Sequence, residues 1–170
     1  MRNIVLTGFM GAGKSTVGRR LGERLGMEVV DTDDLVEEMA GMRISAIFSA
    51  FGEAYFRDLE SKAVARVSER EDRVIVTGGG VVLRMENITN LRRKGVIVYL
   101  HAEPNAIYER IKGERHRPLL QVKDPLARIR ELLASRAPYY AENDLLVDTS
   151  SKTVEEVVNE VVEKVRRLAT

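Results

Sequence analysis

Five short runs of this 170-residue chain are dense in β-branched and other apolar residues and do not alternate cleanly with polar ones: NIVLT (3–7), MEVVD (27–31), RVIVT (73–77), VIVYL (96–100) and LLVD (145–148). A strand covered on one face alternates, so runs of this kind read as strands of a parallel sheet covered on both faces. The intervening stretches are longer and amphipathic. Residues 15–25 repeat apolar positions at Val17, Leu21 and Leu25, and Val154, Val157, Val158, Val161, Val162, Val165 and Leu168 form one stripe near the end of the chain. Thr153, with Glu156 three residues later, is the capping signature that starts this last helix. Strand–helix alternation predicts an α/β fold with right-handed crossovers. One domain over residues 1–170 is expected, and a chain of this size buries roughly 70% of its unfolded surface.

The first strand runs directly into GFMGAGKS, residues 8–15, which matches G-x-x-x-x-G-K-[ST]. Glycines at these places let backbone N–H groups turn inward toward phosphate oxygens. Gly11, Ala12, Gly13, Lys14, Ser15 and Thr16 are the expected nucleotide contacts, with Lys14 reaching the β- and γ-phosphates and the Ser15 hydroxyl on Mg²⁺. The helix that begins here adds its positive end. The pattern arises by chance in roughly one chain of this length in a hundred, and the flanking strand and helix reduce that further. No Asn-Lys-x-Asp guanine reader occurs, so an ATPase or a kinase is the expectation.

Such a site needs a carboxylate near the metal. Asp31 and Asp33 stand at the end of the second run, where Asp33 or Asp34 can also cap the following helix; Asp148 ends the fifth. The third run leads instead into Gly78, Gly79 and Gly80, which permit close approach of backbone to a ligand. Bulk properties exclude much else. Net charge is +1, from 27 basic and 26 acidic residues, so no general attraction to nucleic acid or membrane is expected. There is no cysteine, which removes thiol chemistry; no run of 18 apolar residues occurs, so no membrane span is expected, and Ile4, Val5 and Leu6 before a glycine are too short a run for a signal peptide. A cytoplasmic location follows as an expectation. His101 and His116 have no partner at metal spacing. Phe48, Phe51 and Phe56 read mostly as core with one ring toward a pocket, Tyr139 and Tyr140 as packing, and LRRKG (91–95) as a solvated helix end.

The order and spacing of the Gly8–Ser15 loop, Asp31-Thr32-Asp33, Phe56-Arg57-x-x-Glu60, the three glycines, Arg117-Pro118-Leu119-Leu120 and Arg136 resemble the shikimate kinase family, from Ile4 to Ser150. The resemblance implies a five-stranded parallel sheet flanked by helices, close to the nucleoside monophosphate kinases. It also implies transfer of the γ-phosphate of ATP to the 3-hydroxyl of shikimate, with Mg²⁺, by a monomer that uses no nucleic-acid or membrane partner. By this resemblance Arg57, Arg136, Gly78, Gly79 and Gly80 bind shikimate, and Asp33 receives the attacking hydroxyl. Asp31 holds a metal-bound water, Arg110 lies along the adenine, and residues 148–150 form the adenine edge. Arg117, in a segment (112–125) expected to act as a mobile lid, closes over the γ-phosphate. Glu60 pairs with Arg57 at i, i+3, either to orient it or as an ordinary exposed pair. A gluconate-type kinase and a nucleotide-binding module without catalysis are the alternatives.

Overall fold

The computed structural model describes residues 1–114 and 118–170, with Pro118 and Leu119 described by backbone alone. Within these, five strands form one sheet: β1 (Asn3–Thr7), β2 (Glu28–Asp31), β3 (Arg73–Val76), β4 (Gly95–His101) and β5 (Leu145–Asp148). All pairings are parallel, and the order is β2-β3-β1-β4-β5. The helices between them are α1 (Lys14–Leu25), α2 (Thr32–Ala40), α3 (Ile44–Phe51), α4 (Glu53–Val67), α5 (Met85–Lys94), α6 (Pro104–Ile111), α7 (Pro125–Tyr140) and α8 (Val154–Leu168). Short 3₁₀ turns span Val81–Leu83 and Pro118–Gln121. Among the described residues, no helix is long and apolar enough to cross a membrane.

The five strands lie within a residue or two of their expected places, but their burial differs by position in the sheet. Every residue of β1 is buried, as are the first six of β4. The edge strands are not covered on both faces: Val29 of β2 is 40% exposed and Leu146 of β5 is 48% exposed. A β-branched run marks strand preference, whereas burial of each face depends on which strands and helices lie beside it. The last helix behaves as its stripe predicts at its centre. Val157, Val158, Val161 and Val162 are buried while Val154 and Leu168 at the ends are exposed, and the Thr153–Glu156 capping box is formed.

Phe48 and Phe51 lie on α3 and Phe56 on α4, separated by Gly52 in a backbone conformation of φ 86°, so the three rings do not share one helix. Only Phe56 is buried; Phe51 is 55% exposed and stacks on Tyr55. Tyr139 is likewise exposed, and Tyr140 beside it is buried. For the phenylalanines the break at Gly52 resets the helical face, while the two tyrosines are neighbours on one continuous helix and so point to different sides of it.

Chain order sends β2 and β3 to one side of β1 and β4 and β5 to the other. The crevice beyond the carboxyl end of β1 is therefore a switch point, where open parallel sheets place ligands. α1 leaves from that point and packs against β1, β2, β3 and α8. Its contact side includes Gly18 and Gly22, a small-residue spacing the sequence carried without announcing its use. A β-carbon on Gly18 would begin 2.5 Å from Cγ2 of the buried Val76, and one on Gly22 would begin 2.3 Å from Cγ2 of Val29. Alanine is the better helix former by about 1 kcal/mol, but overpacking a buried contact costs about 1–3 kcal/mol. Gly18→Ala is accordingly expected to lower the unfolding free energy by about 1 kcal/mol, read from urea titration; a stabilised variant would show that α1 has room to move off the sheet.

Candidate active site

β1 delivers the cradle. Thr7 ends the strand, and Gly8 follows at φ 150°, where a β-carbon would begin 2.6 Å from the Leu100 carbonyl oxygen on β4. Gly13 is the residue before α1 and is left-handed, with φ 97°, and no side chain caps the helix. The first-turn N–H groups of α1 are thus turned toward a cleft of about 570 Å³ lined by Gly11, Gly13, Lys14, Ser15 and Thr16 on one side. Lys14 Nζ donates to the carbonyls of Gly8 at 2.5 Å and Phe9 at 3.0 Å, lying along the loop it belongs to.

Behind the loop, Arg110 of α6 donates to Gly11 O at 2.9 Å and to Thr149 Oγ1 at 3.1 Å. Thr149, just past β5, donates from the same hydroxyl to Ala12 O at 3.0 Å. Carbonyls on the outer side of a phosphate loop must be paired if its N–H groups are to face inward. Arg110 and Thr149 do this while joining the cradle to residues 148–150. Asp148 itself is exposed and accepts from Ser150, away from the cleft.

On the opposite wall stand Asp31, Asp33, Phe48, Phe56, Arg57, Glu60, the three glycines and Arg136. Asp31, not Asp33 or Asp34, is the cap of α2: its Oδ1 accepts from Asp33 N at 2.8 Å and Asp34 N at 3.4 Å. That leaves Asp33 in the first turn of α2, with its carboxylate free to enter the cleft. Burial, then the neighbouring carboxylates of Asp31 and Glu60, push Asp33 up to about 6, and Lys14 pulls it the other way.

Each glycine of the β3 turn makes room for a different side chain. A β-carbon on Gly78 would begin 2.5 Å from Asp33 Oδ1 and 3.2 Å from Glu60 Oε2. On Gly80 it would begin 2.3 Å from Arg57 Nη1, and on Gly79 it would begin 3.4 Å from Arg136 Nη1. Side chains of this chain lie tightly against Gly78 and Gly80 and at ordinary contact distance from Gly79. Arg57 is held by Glu60, Nη1 to Oε1 at 2.8 Å, and its guanidinium carbon lies 5.1 Å from the Phe56 ring centre. Glu60 is 1% exposed, which removes the reading of an ordinary surface pair. Burial raises its pKa while Arg57 draws it down. The Arg57 Nε is buried without a hydrogen bond among the described residues, with Glu53 Oε1 at 3.5 Å.

Arg117 and His116 lie outside the described residues. From the same segment, Glu114 lines the cleft, a residue no motif singled out. Thr32 was also missed: wholly buried, it accepts from Gly78 N at 3.1 Å and joins α2 to the glycine turn. His101 bonds to Tyr99 and Glu103 and is not in the cleft. Among the described residues, no group of three or more His, Cys, Asp or Glu is arranged to hold a metal.

Comparison with known proteins gives the same direction from every side. The family model described as shikimate kinase matches residues 10–166. The chain is 52% identical over 162 residues to the shikimate kinase of Caldanaerobacter subterraneus subsp. tengcongensis, covering 95% of each chain. Its fold superposes on shikimate kinase from Acinetobacter baumannii in complex with shikimate, with a TM-score of 0.91, 34% identity, and 98% and 94% of the two chains covered. A gluconokinase from Sinorhizobium meliloti 1021 is more distant, with a TM-score of 0.63, 20% identity, and 99% and 93% covered, which is a likeness of fold alone.

The raised pKa of Asp33 has a thermodynamic consequence. Between the unfolded value of 3.8 and the folded value of about 6 the native state binds more protons, so stability falls as pH rises through this window. Removing the charge should reverse that loss. Asp33→Asn is expected to be more stable than the parent by about 1–3 kcal/mol at pH 7, with the difference shrinking from pH 6 to pH 4, measured by denaturant unfolding at each pH. A gap that stayed constant with pH would mean that ionised Asp33 carries no burial cost.

Proposed function

The chain belongs to the shikimate kinase family, and from that premise we propose how its residues work. The enzyme transfers the γ-phosphoryl group of ATP to the 3-hydroxyl of shikimate, giving shikimate 3-phosphate and ADP, a step toward chorismate and the aromatic amino acids. One observation carries the assignment of roles: a phosphate cradle, a carboxylate of raised pKa and two arginines meet in a single cleft. A cytoplasmic monomer acting on free ATP and shikimate belongs to the same proposal.

The N–H groups of residues 11–16 and the Lys14 amine hold the β- and γ-phosphates, Lys14 exchanging its present carbonyl partners for phosphate oxygens. Adenine lies along Arg110, beside residues 148–150. Shikimate's carboxylate takes paired, charge-assisted bonds from Arg57 and Arg136. Arg57 has donors to spare: Glu60 fixes Nη1 and leaves the rest of the fork. The Gly79 N–H adds a backbone contact, and the ring packs near Phe56.

With the acid end clamped, the 3-hydroxyl faces Asp33 on one side and the γ-phosphorus on the other. Its oxygen bonds to phosphorus as the bond from phosphorus to the bridging oxygen of ADP breaks, and its proton passes to Asp33 late in the step. A carboxylate whose pKa is about 6 is mostly ionised at pH 7 and is a stronger base than an exposed one. Arg117 closes over the transferring oxygens. Mg²⁺ bound with the nucleotide supplies further charge neutralisation. Ser15 and Asp31 fit it: Asp31 uses Oδ1 as the α2 cap, which leaves Oδ2 for a metal-bound water, and Mg²⁺ favours few protein ligands beside phosphate and water. Gluconate also carries a carboxylate that an arginine pair would bind, so it is the family match and not the pair that favours shikimate over gluconate, while a nucleotide-binding module has no use for a buried base.

Steady-state assays of ADP release test these roles. Arg136→Ala is expected to raise KM for shikimate by about tenfold or more, leaving KM for ATP within about twofold, since a charged hydrogen bond is worth about 1.5–3 kcal/mol. Equal effects on both substrates would move Arg136 away from the carboxylate. Lys14→Ala should lower kcat about 100-fold or more, and Asp31→Ala should lose more activity than Asp148→Ala. ADP release with gluconate in place of shikimate would overturn the substrate assignment.

A further inference from the structure

Tyr140 closes α7 with 1% of its surface exposed. Its ring lies flat on Tyr99 of β4, centroids 4.9 Å apart and planes 6° from parallel. Packing would account for a ring there, but it does not account for the hydroxyl, which donates to the Gly79 carbonyl at 2.8 Å.

The glycine turn explains why that bond matters. Gly78 O accepts from Val81 N, and Gly80 O accepts from Leu83 N, both at 3.1 Å and both inside the turn itself. Gly79 O has a partner 61 residues away in sequence. Three glycines in succession have more backbone freedom than any other tripeptide, so a turn closed only on itself would still rock. The Tyr140 hydroxyl ties its middle residue to α7. Four residues earlier the same helix presents Arg136, whose Nη1 is 3.4 Å from where a Gly79 side chain would begin. Burial raises the pKa of the phenol, with Arg136 acting in the opposite direction, so the group remains a donor at neutral pH.

We propose that Tyr140 is a positioning residue for the acid substrate: its hydroxyl pins Gly79 to α7 and so sets the spacing between the glycine turn and Arg136. The ring stack holds the donor still, and the bond transmits the position of the helix to the turn. The inference rests on the reading of Arg136 and Gly79 as the shikimate subsite.

Tyr140→Phe keeps the ring and its stack and removes only the hydroxyl. In the variant, KM for shikimate is expected to rise about threefold to tenfold, while KM for ATP stays within about twofold. Amide hydrogen exchange should quicken across residues 78–83 and not across residues 8–16. Tyr139→Phe, at the exposed neighbour, should change none of these. Unchanged shikimate KM with unchanged exchange overturns the proposal. A matching rise in both KM values with exchange quickened throughout also overturns it, because that pattern is general loosening. Should the parent enzyme fail to bind shikimate, the functional reading fails by itself. Exchange in the ligand-free protein still decides the tether: quickening confined to residues 78–83 supports it, and none refutes it.

Discussion

Three residues without side chains hold the site together. Gly78, Gly79 and Gly80 leave space into which Asp33, Arg136 and Arg57 settle, each against a different glycine. The three groups come from α2, α7 and α4, elements that share no local sequence. What makes them neighbours is that β3 lies beside β1, so the glycine turn emerges next to the phosphate loop. A β-carbon on Gly78 or Gly80 would collide with a charged group, Asp33 or Arg57, whereas one on Gly79 would only come into contact with Arg136.

Closeness of this kind has an electrostatic cost. Asp31, Asp33 and Glu60 are carboxylates within one partly buried region, and desolvation raises all three. The local structure meets the cost in different ways. Asp31 accepts two backbone N–H groups as a helix cap, and Glu60 is ion-paired with Arg57. Asp33 is left with the largest rise, which makes it the basic carboxylate of the set. A buried ion pair such as Arg57–Glu60 adds little net stability, but it restricts where the guanidinium can point. Under the proposed function, stability is given up where the chemistry needs a poised base and an aimed cation.

Much of this was legible from residue order. Phosphate loops have a spacing that the backbone geometry itself demands, so Gly8 to Ser15 could be assigned before any fold was known. Parallel strands without alternation predicted the sheet, and the strand ends located Asp31 and the glycines. Other features were not legible because their meaning depends on what lies across from them. Glu60 could be a solvated or a buried partner until the α4 face was seen to pack inward. Tyr139 and Tyr140 are the same residue type in succession, and only the rotation of α7 puts one in solvent and the other over Tyr99. Thr149 looked like loop, yet its hydroxyl supports the cradle.

The chain alone determined the kind of architecture, the phosphate loop and the identity of the charged groups, because these follow from local periodicity and from short motifs with a fixed backbone use. Tertiary structure decided which carboxylates share the cleft, how far each edge strand is covered, and which tyrosine reaches the glycine turn. Those outcomes depend on contacts between residues tens of positions apart. Such contacts are set by sheet order and helix packing, whose physics acts across space and leaves no regular interval in the sequence.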